Sequence, residues 1–130
     1  MALVSFGHAG YVCSDIDRSI DFYTNVLGCK VSHEINPPNR RIVFVQFADG
    51  QAIELFSGGT EKTSHGNEYV GFLHLCLIID NARDYLEELK GKGVEVVRER
   101  INEDGSGTFF ILDPDGNELE LMQRTADSKY

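Results

Sequence analysis

His8, Glu54, His74 and Glu120 are the residues of this 130-residue chain whose types and spacing promise chemistry. Glu54 follows His8 by 46 residues, Glu120 follows His74 by the same 46, and the second pair is the first displaced by 66. Each stands between apolar or small neighbours: Gly7 and Ala9, Ile53 and Leu55, Leu73 and Leu75, Leu119 and Leu121. Side chains alternate across a strand, so the four polar groups are expected opposite those neighbours, on a concave face, with the neighbours packed under helices. One His or Glu at such a position is ordinarily a solvated residue. The same two types at both equivalent pairs suggest a shared task. Two imidazoles and two carboxylates neutralise a divalent cation, whereas close carboxylates without one repel and raise each other's pKa. An octahedral cation with four protein ligands keeps two adjacent positions for neighbouring oxygens of a substrate. It would stabilise the enediolate of an α-hydroxycarbonyl, with a nearby carboxylate as the base.

The elements that must position these groups repeat at the same offset. "ADGQAIELF" (48–56) and "PDGNELELM" (114–122) align as an Asp-Gly turn and its outgoing strand. In the first half "LVSFGHAGYVC" alternates as a strand, and "DIDRSIDFYTNVLG" places Ile16, Ile20, Tyr23 and Leu27 on one helical face between capping Asp residues and Gly28. "CKVSHEI", "RRIVFVQFA" and "QAIELF" supply three more strands, with "NPPN" as a breaker. The second half repeats the order. "GFLHLCLIID" is a strand, and "NARDYLEELKGKG" is a helix with Ala82, Tyr85, Leu86 and Leu89 inward. "VEVVRER", "TFFIL" and "NELELM" are strands, and "INEDGSG" is a loop. The expectation is an α+β chain of two β-α-β-β-β modules forming a curved mixed sheet. The first module is residues 1–57, a linker 58–71, the second module 72–123 and a polar tail 124–130.

Composition bounds the function. At 42% hydrophobic residues the chain can bury a full single-domain core. A net charge of −9, from 21 acidic and 12 basic residues without a Lys/Arg cluster, argues against nucleic acid and anionic membranes. No apolar run approaches membrane-spanning length, and the start "MALVSFGHAG" lacks a leader pattern, so a cytoplasmic protein is expected. Cys13, Cys29 and Cys76 are an odd number without CxxC spacing and are expected to be buried free thiols.

The stretches "HAGYVCSDIDRSIDFYTNVLGCKV", "AIELF", "LHLCLIID" and "DPDGNELELM" resemble the vicinal oxygen chelate superfamily over essentially the whole chain. That superfamily includes glyoxalase I, bleomycin- and fosfomycin-resistance proteins, methylmalonyl-CoA epimerase and extradiol dioxygenases. His, Glu, His, Glu at the four points is similar to compact glyoxalase I. The resemblance implies one divalent ion, nickel or cobalt first and zinc, manganese or iron as alternatives, on His8, Glu54, His74 and Glu120. It also implies Glu120 as base with Glu54 as its counterpart, and isomerisation of a hemithioacetal or α-hydroxycarbonyl. Compact glyoxalase I forms its site between two chains, which implies a homodimer with His8 and Glu54 from one subunit and His74 and Glu120 from the other. Val12 and Gly58 stand where that family carries glutathione-holding Arg and Asn, and Glu103 and Asp104 where it carries a basic loop residue. These departures point away from glutathione as the thiol. The alternatives are a binding protein of the resistance type and a dioxygenase that leaves Glu54 off the metal.

Other residues carry weaker expectations. Phe6, Phe56, Phe72 and Met122 share the parity of the four donors and are expected to line a pocket or pack. His33 and His65 lack a counterpart at the 66 offset and are expected in solvent, as are Arg40 and Arg41 beside "NPPN". Glu118 has the parity of Glu120 but corresponds to Ala52, so symmetry gives it no ligand role.

Overall fold

The computed structural model describes residues 1–62, 68 and 70–129. The chain divides into two compact units, Met1–Lys62 and Thr63–Tyr130. The first holds β1 (His8–Val12), α1 (Ile16–Asp21), β2 (Lys30–Ile35), β3 (Ile42–Gln46) and β4 (Ala52–Phe56). The second holds β5 (Leu75–Ile79), α2 (Ala82–Gly91), β6 (Val96–Ile101), β7 (Gly107–Leu112) and β8 (Glu118–Gln123). Each unit builds one four-stranded mixed sheet, ordered β1-β4-β3-β2 and β5-β8-β7-β6. The first strand of each pairs parallel with the last, and the other pairings are antiparallel. The expected α+β class and β-α-β-β-β order are therefore present in both units.

Local chemistry explains the helices. The Asp15 carboxylate accepts from the Arg18 amide at 3.2 Å and caps α1, and Asn81 Oδ1 accepts from the Asp84 amide at 3.1 Å to cap α2. α1 buries Ile16 and Ser19, then continues through a π turn, Phe22–Val26, which buries Tyr23. The wider turn shifts the phase of the apolar stripe beyond it, so Leu27 ends only half-buried, as Ile20 ahead of the turn also is. α2 keeps a regular face and buries Ala82, Leu86 and Leu89. Beneath these faces lie Val43, Val45, Ile53 and Leu55 in one sheet and Phe109, Ile111, Leu119 and Leu121 in the other, all essentially inaccessible. The strand neighbours of Glu54 and Glu120 thus occupy the core as expected.

The first strands are shorter than the alternation suggests. β4 offers five residues, which pair with His8–Val12 alone, so Leu3, Val4 and Phe6 have no partner strand in the first unit and stand exposed. In the second unit β5 likewise begins after His74, leaving Phe72 and Leu73 exposed. Both histidines consequently sit at the entry of a strand rather than inside it. The Asp-Gly turns form as expected, with Gly50 at φ 93° and Gly116 at φ 83°. Gly107 is fixed by crowding: at φ 144°, a Cβ there would lie 2.2 Å from the Arg100 carbonyl oxygen. No helix among the described residues is long and apolar enough to cross a membrane.

Candidate functional site

In the first unit His8 Nε2 lies 2.8 Å from Glu54 Oε2, and in the second His74 Nε2 lies 2.9 Å from Glu120 Oε2. The carboxylates are largely covered, at 18% and 16% side-chain exposure, while the imidazoles are open at 47% and 29%. Two lone-pair atoms at that separation are held together by a shared proton or by a cation, and each pair sets one oxygen donor beside one nitrogen donor. Among the described residues no group of three or more His, Cys, Asp or Glu is arranged so as to hold a metal ion. Each unit by itself brings together two of the four sequence-predicted donors.

An aromatic ring backs each pair. Phe44 lies directly across from Glu54 and Phe110 directly across from Glu120. The His8 and Phe44 rings meet edge to face at 5.3 Å, and those of His74 and Phe110 at 5.5 Å. Phe44 and Phe110 are again 66 residues apart. They escape a reading of the sequence because they sit in "IVFVQ" and "TFFIL", where an aromatic residue reads as core; the signal that finds them is strand register. Of the expected pocket residues, Phe56 and Met122 do stand on the donor faces, opposite Ile42 and Thr108. Phe6 and Phe72 precede the strands and are exposed.

The surroundings differ. Opposite Glu54 on its other side stands Gly10, whose missing Cβ would lie 3.3 Å from the Phe56 ring. The equivalent of Gly10 is Cys76, opposite Glu120. Cys13 and Cys29 are buried as expected, whereas Cys76 is exposed because its strand lies at the edge of the sheet; partial desolvation, and then the Glu120 charge and hydrogen bond, still push its thiol up to about 11. Thr108 Oγ1 lies 3.2 Å from Glu120 Oε1, whereas the corresponding Ile42 offers the first unit no hydroxyl. On β6 both Arg98 and Arg100 face the donor side, opposite Phe110 and Thr108, while Glu99 between them meets Lys90 of α2 at 3.0 Å. Arg98 stacks over Phe110 at 4.2 Å and pairs with Glu118. A cleft of about 340 Å³ opens beside Thr108 and Met122, with Arg100, Asn102 and Lys129 also in its wall. In the first unit the matching positions of β2 are His33 and Ile35. His33 is exposed, as expected, though its ring meets Phe44 at 5.5 Å. His65 lies outside the described residues.

The arginines beside "NPPN" are less free than expected. Arg40 lies 5.2 Å from the Phe56 ring centroid and donates to the Ser57 carbonyl. Arg41 is half-buried and bridges Asp17 and Glu34 at 2.6 and 2.5 Å. Glu118 serves Arg98.

The sequence profile described as Glyoxalase/Bleomycin resistance protein/Dioxygenase superfamily matches residues 5–121. The chain belongs to this superfamily. A lactoylglutathione lyase of Salmonella typhimurium is 36% identical over 117 residues, spanning 84% of each chain. The trypanothione-dependent glyoxalase I of Leishmania major superposes with a TM-score of 0.74 at 27% identity, covering 89% of this chain and 84% of the other. The fosfomycin resistance protein FosX of Listeria monocytogenes shares the fold, with a TM-score of 0.76 at 19% identity, covering 97% and 98%.

Proposed function

We propose that this superfamily member is a metal-dependent lyase or isomerase of the glyoxalase I type, with His8, Glu54, His74 and Glu120 as the ligands of one divalent ion. The observation that carries the reading is the same His–Glu contact, at 2.8 and 2.9 Å, at equivalent points of two units. A relative 36% identical and named a lactoylglutathione lyase supports the reaction class. When bound, the cation supplies Lewis acidity that lowers the cost of negative charge on two neighbouring substrate oxygens. Nickel or cobalt suits the mixed nitrogen and oxygen donor set, as do zinc, manganese and iron.

The chain's own groups do the rest. His8, Glu54 and His74 hold the ion. Glu120, detached from the ion as substrate binds, takes the proton from the carbon bearing the hydroxyl and returns it to the neighbouring carbon while the hydroxyl proton passes to the neighbouring oxygen, so that no atom is gained or lost. Phe44 and Phe110 exclude water from one side of each donor pair. Because Val12 and Gly58 lack polar reach, recognition of the thiol falls to groups such as Arg98 and Arg100, whose guanidinium groups suit a carboxylate. Each unit supplies two donors, and apolar side chains on or before the donor faces, among them Phe6, Val12, Phe72 and Ile78, are exposed. Such surfaces are suited to cover by a second copy, in a twofold homodimer whose sites each take one pair from each subunit. The cellular setting that fits is the cytoplasm.

Protein purified without added metal should contain one divalent transition metal per chain. It should isomerise one or more hemithioacetals of methylglyoxal with glutathione or other thiols. In a competent adduct that carries carboxylates, Arg100→Ala should raise KM about tenfold and leave kcat within twofold. Metal-loaded protein that binds small molecules tightly yet turns over no adduct would favour the resistance-type binding role. Oxygen consumption with iron or manganese would favour a dioxygenase.

A further inference from the structure

Glu54 and Glu120 are equivalent by symmetry but not by environment. Among the described residues the Glu54 carboxylate has His8 as its hydrogen-bond partner, with Gly10 and Ile42 at its flanks. Glu120 has its Oε2 against His74 at 2.9 Å and its Oε1 3.2 Å from Thr108 Oγ1, and the Cys76 thiol also hydrogen-bonds to it. The same hydroxyl lies 3.1 Å from the Leu121 carbonyl oxygen. One hydroxyl proton therefore has two acceptors, and the oxygen itself has lone pairs to accept with.

We propose that Thr108 is the positioning residue of Glu120, its hydroxyl holding the Oε1 end of the carboxylate in place. The proposal rests on the reading of Glu120 as the base. Anchored beside the Leu121 carbonyl, the hydroxyl fixes the orientation in which the carboxylate meets substrate, which a purely apolar neighbour such as Ile42 cannot do for Glu54. The symmetry of the scaffold is thereby broken in favour of one carboxylate.

Thr108→Val keeps the shape and removes the hydroxyl, and Thr108→Ser restores it. With the methylglyoxal hemithioacetal that the parent turns over fastest, Thr108→Val should lower kcat roughly 10- to 100-fold, the range for a hydrogen bond to a charged group. KM, melting temperature and metal content by elemental analysis should stay near parent values, and Thr108→Ser should recover most of kcat. Thr108→Val with parent kcat, or Thr108→Ser as impaired as Thr108→Val, overturns the proposal. Glu120→Gln is measured beside them. If it retains the parent rate, the base assignment has failed, and the Thr108 proposal fails with it. If no adduct is turned over, a crystal structure of the metal-loaded protein decides: Thr108 Oγ1 within roughly 3.5 Å of the Glu120 carboxylate supports the tether, and a clearly longer separation removes it.

Discussion

The two units share a scaffold and differ in what surrounds their donors. Both place a His–Glu contact on the open face of a four-stranded sheet, back it with a phenylalanine and bury leucine or isoleucine beneath. Around that common centre the first unit sets Gly10, Ile42 and Ile35, and the second sets Cys76, Thr108 and Arg100. A duplicated fold thus holds the cation-binding types at both points while letting the neighbours diverge into an apolar wall and a polar, cationic one. Among the described residues only the second carboxylate gains a hydroxyl partner, so the units are expected to share metal holding and to divide catalysis and recognition.

The contrast is broken most severely at the carboxylates. Glu120→Gln should lower turnover roughly 10²–10⁴-fold while leaving much of the metal content, because an amide oxygen still ligates. Glu54→Gln keeps an amide oxygen in the same way and should lose far less turnover than Glu120→Gln, and equal losses of kcat in fully loaded variants would erase the proposed division. A smaller effect separates the two Asp-Gly turns. Buried Asp113 accepts from the amides of Asp115 and Asn117 and from Asn117 Nδ2, whereas exposed Asp49 accepts from the Gln51 amide. Asp113→Ala should cost about 2–3 kcal/mol and Asp49→Ala about 0.5 kcal/mol in denaturant unfolding. Similar values would show that the two turns contribute equally.

The smallest effect is a pH response to which Cys29 in the first unit and Cys76 in the second both contribute. Burial pushes the Cys29 thiol from its ordinary 9.0 up to about 11. Above pH 9 the unfolded chain loses that proton before the folded one does, so stability falls as pH rises from about 9 to 11. At pH 10 the loss amounts to about 1.4 kcal/mol. Melting curves at pH 8 and pH 10 should show this fall in the parent and a smaller one in Cys29→Ala. Identical pH dependence would remove Cys29 as the cause.

The repeat makes much of the molecule legible from sequence. Element order, both capped helices and the Asp-Gly turns come from period and turn chemistry, and the two His–Glu contacts bring together residues that spacing alone pairs. Phe44, Phe110, Arg98, Arg100 and Thr108 are not legible as site residues, because their roles depend on cross-strand register. Each second strand carries a bulge, between Val31 and His33 and between Val96 and Arg98, and one extra residue flips the face of every later side chain in that strand. The start of β1 departs from expectation for a related reason. Alternation in "LVSFGH" signals a strand, but strand formation needs a partner, and β4 has none to offer before His8.

Titration of the metal-free protein with Co(II) or Ni(II) by calorimetry tests the four-donor claim most directly, with the parent beside His8→Ala, Glu54→Ala, His74→Ala and Glu120→Ala. One ion per chain is expected, with each of the four substitutions weakening that same ion at least about tenfold. Two ions per chain, or a His8→Ala protein that keeps one full-affinity site, would mean that the two units bind metal separately and would contradict the single shared centre.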